Sequence, residues 1–381
     1  MLEMTDVTLA QRLDELAAFE PTEYPFVSLY LNTRADQHGR DNFASFVRKE
    51  FKARAKTFAP ESLELASFER DTARIKKYLR DELRPSANGL AIFACAGADD
   101  YFRAVQLDAP VKRHQLHVCQ EPYLYPLARL LDQHPRYVAL IADTNSARLF
   151  VFGMGKTMSS SEVRNVKVSR TQGRGWSQMR YQRHVDNYHL LHAKEVVEML
   201  GRVVREEAAD HVVIAGDEVI VPLLREQLPQ HLADKVVEVL RLDIRTPEHE
   251  ILKATMEALS EHNLQTDAER VRRLLDEYRA GGLAVVGVRD TLTALYQGQV
   301  DELLLSASAR EIVCAEEDFD ETMADGDSPG RHALRGREPH LVAADLLVTR
   351  ARLSGARVTF IEDAALLAGV GGCGALLRYR L

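Results

Sequence analysis

The feature that most limits how this chain can fold is its repeated alternation of short apolar runs with longer amphipathic stretches. Val212-Val213-Ile214-Ala215-Gly216, Val236–Leu240, Ala284–Val288 and Val300–Ser306 read as short strands, several of them apolar without a break. The intervening segments Val221–Leu228, Thr246–His262, Asp267–Tyr278, Thr291–Tyr296 and Leu341–Ala351 place apolar residues at helical spacing. Strands that are apolar on both sides need cover on both faces, so the expected class is α/β: mixed sheets with helices, closing in a C-terminal αβα sandwich. Two further strands, Tyr137–Ala142 and Ala147–Phe152, are joined at Thr144-Asn145-Ser146, which is a hairpin signal.

The N-terminal third has a different rhythm. A helix over Leu9–Phe19 leads to the strand Phe26–Leu31, then to a basic helix carrying Arg48, Lys49, Lys52, Arg54 and Lys56. That helix reads equally as a solvated charged face and as an RNA contact. A long helix over Ser62–Leu83 precedes the strands Leu90–Cys95, Tyr101–Leu107 and His114–Val118, and Pro122–Leu131 forms a bridging helix. Asn263-Leu264-Gln265-Thr266 is the best linker candidate. A length of 381 residues fits two to three domains, and the pattern divides them as 1–128, 129–264 and 265–381.

Composition narrows the class. Apolar content of 46% with 28% charged residues describes a soluble globular chain, and no window approaches 18 uninterrupted apolar residues, so no membrane association is expected. Met1-Leu2-Glu3-Met4-Thr5-Asp6 lacks the basic start and apolar run of a signal peptide, and the expected compartment is cytoplasmic. Cys95, Cys119, Cys314 and Cys373 stand far apart, without a Cys-x-x-Cys pair, so neither a disulfide framework nor a zinc knuckle is indicated. The acidic segment with Glu316, Glu317, Asp318, Asp320, Glu321, Asp325 and Asp327 does not match a calcium-loop spacing and reads as a solvated excursion. His184, His189 and His192 share one helical stretch, but no Cys or acidic residue supplies a third ligand. No metal and no cofactor are expected.

One stretch runs against the overall charge. From Arg164 to His184 there are six Lys/Arg and no Asp or Glu, in a chain of net charge -8. Phosphate is the commonest reason for such a patch on an acidic protein. Gly173 and Gly175 allow main chain to approach a ligand closely, while Arg170, Arg174, Arg180 and Arg183 supply charge and Trp176 an aromatic face. Ser177 is placed to cap a helix starting near Gln178, with Val185, Tyr188, Leu191 or His192, Val196, Met199 and Val203 as its buried stripe. The expected element is a basic glycine-containing loop running into a rigid helix and contacting RNA. Standing alone it also reads as a solvated basic loop.

Two further stretches carry a resemblance. Gly287-Val288-Arg289-Asp290-Thr291-Leu292-Thr293-Ala294-Leu295-Tyr296-Gln297-Gly298-Gln299-Val300 and the closing Gly371-Gly372-Cys373-Gly374-Ala375-Leu376-Leu377-Arg378-Tyr379-Arg380-Leu381 resemble the third domain of the archaeal and eukaryotic class I peptide-chain release factors and their relative Pelota. That domain has the fold of kink-turn-binding ribosomal proteins. Met179-Arg180-Tyr181-Gln182-Arg183 resembles the Leu-Arg-Phe-Ala-Arg helix that follows the family's Gly-Gly-Gln loop, and Pro122–Phe152 resembles the junction of its first two domains.

What the resemblance implies is a protein that binds the ribosomal A site. The loop would face the peptidyl-transferase centre, with ribosomal RNA and the acceptor end of P-site tRNA as partners. A translational GTPase of the elongation-factor Tu type would be a delivering partner. Counted back from Arg180, Gly-Gly-Gln falls on Arg174-Gly175-Trp176, so Trp176 stands where the family has its catalytic glutamine, and Gln178 lies two residues later. The stop-codon-reading Asn-Ile-Lys-Ser motif has no counterpart in residues 1–128. Two readings stay open. One is a non-catalytic, Balon-like occupant of idle ribosomes. The other is a codon-independent peptidyl-tRNA hydrolase using Gln178.

Overall fold

The computed structural model describes residues 9–34, 43–154, 156–164, 178–319 and 338–380. Contacts divide the chain into two compact units: residues 1–133 together with 266–381, and residues 134–265.

The first unit contains two sheets. β1 (Phe26–Asn32), β2 (Gly89–Cys95), β3 (Tyr101–Leu107) and β4 (Gln115–Cys119) form an antiparallel sheet in the order β3-β2-β1-β4. One of its faces, with Val27, Leu29, Leu31, Leu90 and Ile92, is covered by Val47 and Phe51 of α2 (Phe43–Ala55) and by Phe68 and Ile75 of α3 (Leu63–Asp81). The α3 helix starts where Ser62 accepts the Leu65 N–H on its hydroxyl at 3.1 Å, the ordinary work of an N-cap serine. The helix α1 (Leu9–Ala17) buries Leu13 and Leu16 completely and meets α4 (Tyr125–Gln133) and α10 (Pro339–Leu353).

The second sheet of this unit joins β10 (Ala284–Val286), β11 (Val300–Ser306), β12 (Arg357–Ile361) and β13 (Cys373–Leu377) in the order β10-β13-β11-β12. Only β11 and β12 run parallel. Helix α9 (Val288–Tyr296) and α10 pack on it, and the short α11 (Ala365–Ala368) contributes Leu367 to the core. The glycines of the closing motif have a steric cause. Gly372 has φ 80°, and a Cβ there would stand 2.3 Å from the Glu311 carbonyl oxygen. A Cβ at Gly374 would stand 2.9 Å from the Val285 oxygen, inside the neighbouring strand's backbone.

The second unit is a sheet between helices. β5 (Tyr137–Ala142), β6 (Ser146–Gly153), β7 (Lys156–Arg164), β8 (His211–Gly216) and β9 (Val236–Leu240) lie in the order β7-β6-β5-β8-β9, with β5, β8 and β9 parallel. Helices α5 (Gln178–Glu206) and α6 (Ile220–Gln227) cover one face, with α7 (Gln230–Ala233) adding Leu232. Ile251 and Leu259 of α8 (Glu248–Arg279) belong to the core on the other face.

Two sequence expectations are corrected here. Thr246–His262 and Asp267–Tyr278 are not separate helices, because Asn263-Leu264-Gln265-Thr266 lies within the continuous helix α8. None of these residues is Gly or Pro, and the weak propensities of Asn and Thr cost only tenths of a kcal/mol each, roughly, too little to stop a helix anchored at both ends. The helix contributes Ile251 and Leu259 to one core and Val271 and Leu274 to the other. The strand β7 was not foreseen. Its Thr157-Met158-Ser159-Ser160-Ser161-Glu162 core is polar, and it is an edge strand bonded on one side to β6. Of the acidic segment, Glu316–Phe319 forms a 3-10 turn and residues 320–337 lie outside the described residues.

In the first unit, a buried carboxylate on α10 holds the start of α4. The Leu124 and Tyr125 N–H groups donate to Asp345 Oδ1 at 2.6 and 3.3 Å, and the Tyr125 hydroxyl donates to the Ser306 carbonyl at 2.7 Å. Asp345→Ala would leave both N–H groups buried without that acceptor. It is expected to lower stability by about 2–4 kcal/mol in urea unfolding, with Asp345→Asn losing less because one acceptor oxygen remains.

At the other end of α4, Asp132 accepts from the Phe360 N–H at 3.1 Å. Burial pushes its carboxyl up to about 7, against the opposing pull of that bond, with Asp267 and Glu362 adding repulsion and Arg270 countering it. The folded form therefore keeps this proton to higher pH than the unfolded chain, whose carboxyl titrates near about 4. The contribution of this group to stability falls as pH rises between about 4 and about 7, then levels off. Asp132→Asn is expected to flatten that slope and to exceed wild type by about 1 kcal/mol or more at pH 8, measured by urea unfolding at pH 5 and pH 8.

Candidate functional site

Along the chain the cationic segment comes between β7 and α5, and the folding of these two supports can be followed residue by residue. The β5–β6 hairpin is set by Asp143, whose Oδ1 accepts from the Asn145 N–H at 2.7 Å, the Ser146 N–H at 2.7 Å and the Ser146 hydroxyl at 3.1 Å. An aspartate that binds its own turn in this way fixes the register of the two strands it joins. β6 then pairs with β7 through a register shift at Val151/Phe152, and the Thr157 hydroxyl bonds the Glu248 carboxylate at the start of α8. Arg148 on β6 donates to the Ile244 and Thr246 carbonyls at 2.9 and 2.8 Å, with its guanidinium 4.8 Å from the Phe150 ring centre. It ties the strand to the loop after β9.

The second support is α5, which begins at Gln178. Ala193, Val196, Val197, Leu200 and Val204 are buried against Val138, Leu140, Leu149, Val151 and Ile214 of the sheet. The buried stripe is turned by about one residue from the expected one. His192 is fully buried while Leu191 is 58% exposed, and Leu200 and Val204 take the central places with Met199 and Val203 at the margin. The reason is that α5 is flanked by α6 as well as by the sheet, which widens and rotates its apolar face.

A helix of 29 residues presents a partial positive charge at its N-terminus, and the first turn of α5 contains no acidic residue to cancel it. Gln178, Arg180 and Arg183 are all in the first two turns of this helix. Positions 180 and 183 are three apart and lie along one side, whereas 178 and 180 do not face each other. Arg170, Gly173, Arg174, Gly175, Trp176 and Ser177 lie outside the described residues, as does the expected Ser177 cap. Beyond Asn187 the helix carries His189, whose ring centre is 6.3 Å from that of Tyr188 in an edge-on arrangement. Among the described residues no group of three His, Cys, Asp or Glu side chains is close enough to hold a metal ion, and no helix is long and apolar enough to cross a membrane.

The arrangement is therefore a cationic, glycine-containing segment that enters the N-terminus of a long helix seated in a rigid sheet. In sequence the segment brings arginines and glycines to a helix start occupied by an uncharged amide. Sequence reasoning missed β7, which delivers the segment. Its signal was the alternation of Thr157, Ser159 and Ser161, which is weak because an edge strand need not be apolar.

Comparison with known proteins agrees with this anatomy. Residues 122–260 match the family model of bacterial archaeo-eukaryotic release factor family 10, and residues 264–381 match that of eRF1 domain 3. No curated protein is similar enough to count as a match. Among solved structures, the archaeal translation termination factor aRF1 is 15% identical, covering 97% of each chain, with a TM-score of 0.25. Pelota of Archaeoglobus fulgidus is 14% identical, covering 78% of this chain and 82% of its own, with a TM-score of 0.33. Dom34 of S. cerevisiae, described as a translation termination-like factor interacting with Hbs1, is 9% identical, covering 77% and 79%, with a TM-score of 0.41. At such TM-scores the assignment rests on the two family models, which follow one another along the chain in the order that the loop and the closing motif require. The chain is a bacterial archaeo-eukaryotic release factor-like protein.

Proposed function

We propose that this protein binds the ribosomal A site and directs residues 170–184 toward the peptidyl-transferase centre as a non-catalytic, hibernation-type occupant. The observation that carries this reading is the run of six Lys/Arg without Asp or Glu from Arg164 to His184, inside the segment matched by the release factor family model. In an acidic chain, such a run focuses attraction for phosphate on one place. The division into 1–128, 129–264 and 265–381 belongs to the same reading, with the middle part carrying the loop. Ribosomal RNA and the acceptor end of P-site tRNA are the partners, in the cytoplasm, and a translational GTPase of the elongation-factor Tu type is the delivering partner that the resemblance brings.

Trp176 favours occupancy over catalysis, since it takes the position of the family's glutamine. An indole there stacks on an unpaired base, a contact worth about 1–3 kcal/mol. The second reading, a codon-independent peptidyl-tRNA hydrolase, is kept because Gln178 is the first residue of α5. An amide orients water without ionising, and the ester joining peptide to tRNA is already activated, so orientation and oxyanion stabilisation suffice. In that reading Arg170, Arg174, Arg180 and Arg183 hold the RNA, Gly173 and Gly175 allow its close approach, and Ser177 caps the helix.

Two measurements test these readings. Replacing Arg170, Arg174, Arg180 and Arg183 together by Ala is expected to weaken ribosome co-sedimentation and to flatten its salt dependence, by about 0.7–0.9 in logarithmic slope for each phosphate that is no longer neutralised. Equal sedimentation of mutant and wild type across salt concentrations would remove the segment from the interface.

The second measurement is release of a labelled peptide from P-site tRNA with no codon, a sense codon or a stop codon in the A site. An occupant releases nothing above background, and Trp176→Ala then weakens A-site binding by about 1–3 kcal/mol. Release that is lost by orders of magnitude in Gln178→Ala, with binding intact, would instead establish the hydrolase.

A further inference from the structure

The first unit has a cationic cavity at the end of its C-terminal sheet opposite to Gly287 and Gly372. It lies at the N-terminal ends of β11 and β12 and the C-terminal end of β13, has a volume of about 430 Å³, and is lined by Asp14, Asp301, Arg352, Gly355, Arg357 and Arg378. Its shape begins with a helix terminus. Gly355 follows α10 with φ 65°, its N–H donates to the Arg352 carbonyl at 3.2 Å, and the Ala356 N–H donates to the Ala351 carbonyl at 2.9 Å. This left-handed glycine stop turns the chain directly into β12 and brings Arg357 to the cavity. The carbonyls of Arg350, Ala351 and Arg352 thereby accept backbone N–H groups, and that of Gly355 accepts from Arg378 Nη2 at 2.9 Å.

The charges do not cancel. Arg352 is bound to Asp14 at 2.6 Å. Arg378 is 3.6 Å from Asp301, whose side chain is 67% exposed, a loose pair in solvent that costs little to rearrange. Arg357 makes no ion pair among the described residues. Its cross-strand neighbour is Glu302, which is buried and already engaged by Arg270 at 3.5 Å and by the Thr359 hydroxyl at 2.9 Å. Three guanidinium groups from separate segments thus meet two carboxylates, leaving Arg357 and the unused donors of Arg378 directed at one space. Guanidinium forks match the paired oxygens of a phosphate, and a doubly charged oxyanion answers this surplus better than a single carboxylate.

We propose that this cavity is a phosphate-binding subsite, with Arg357 and Arg378 as its ligands and Arg352 held in place behind them by Asp14. The phosphate group belongs either to a free phosphate compound or to a nucleic-acid backbone. The subsite is distinct from residues 170–184 and does not depend on the reading given for them.

The test is titration of the full chain with inorganic phosphate by calorimetry in phosphate- and sulfate-free buffer. Wild type is expected to bind saturably. Arg357→Gln and Arg378→Gln should each weaken binding about tenfold or more, Arg357→Lys should fall between, and Arg225→Gln, the same charge change on α6, should bind as wild type. Circular dichroism checks that each variant is folded. No saturable binding, or equal affinity in wild type, Arg357→Gln and Arg378→Gln, overturns the subsite. So does an equal loss in Arg225→Gln, which would mark a general charge effect. A short single-stranded oligoribonucleotide that displaces the phosphate assigns the group to a nucleic-acid backbone, and retention of phosphate in its presence assigns it to a free compound.

Discussion

The buried carboxylate of Asp345 sits where a helix start would otherwise be unsolvated. The first amides of a helix have no partner inside it, and the N-terminus of α4 is enclosed by protein on all sides that matter here. Asp345 supplies the acceptor from α10, more than 200 residues away in sequence, and the adjoining residues extend the connection. The Tyr123 N–H donates to the Ser28 hydroxyl of β1 at 3.0 Å, the Tyr30 hydroxyl donates to the Tyr123 carbonyl, and Tyr125 reaches Ser306 on β11. Residues 123–125 therefore join the N-terminal sheet to the C-terminal one. This is why residues 1–133 and 266–381 form one unit despite the long segment between them.

Below that point the contacts become increasingly polar. Arg129 binds both oxygens of Glu362 at 3.1 Å, Asp132 receives the Phe360 amide, and Arg270 lies between Asp267 and Glu302. Carboxylates outnumber cations here, and burial raises the pKa of Asp132 and Asp267, so this end of α4 is sensitive to pH while the Asp345 end relies on hydrogen bonds. Stability and titration are thus separated along a single short helix.

Charge is separated along the chain as well. The net charge of -8 opposes general association with nucleic acid, so the cationic segment before α5 and the cationic cavity at the start of β12 are local exceptions rather than parts of a broad basic face. The two differ in what surrounds the arginines. The segment before α5 combines arginines with glycines and the positive end of a helix. The cavity combines arginines with a helix C-terminus that ends in a left-handed glycine.

The α/β class was legible because apolar runs such as Val212–Ala215 and Leu303–Leu305 leave no face for water, and the turn at Asp143–Ser146 announces itself through side chains that bond their own backbone. The cationic run and Gln178 as the helix start could also be read directly, since charge and helical periodicity are local properties. Pairings between distant residues were decided by tertiary structure. Nothing local tells that Asp345 would cap α4, that a polar stretch at 156–164 would become an edge strand, or that α8 would pass unbroken through Asn263–Thr266. In each case the deciding energy comes from groups far away in sequence: an unsolvated amide, an open strand edge, and two cores that anchor the two halves of one helix. The convergence of Arg378 on Arg352 and Arg357 is of the same kind, because only the pairing of the sheet brings the end of β13 beside the turn between α10 and β12.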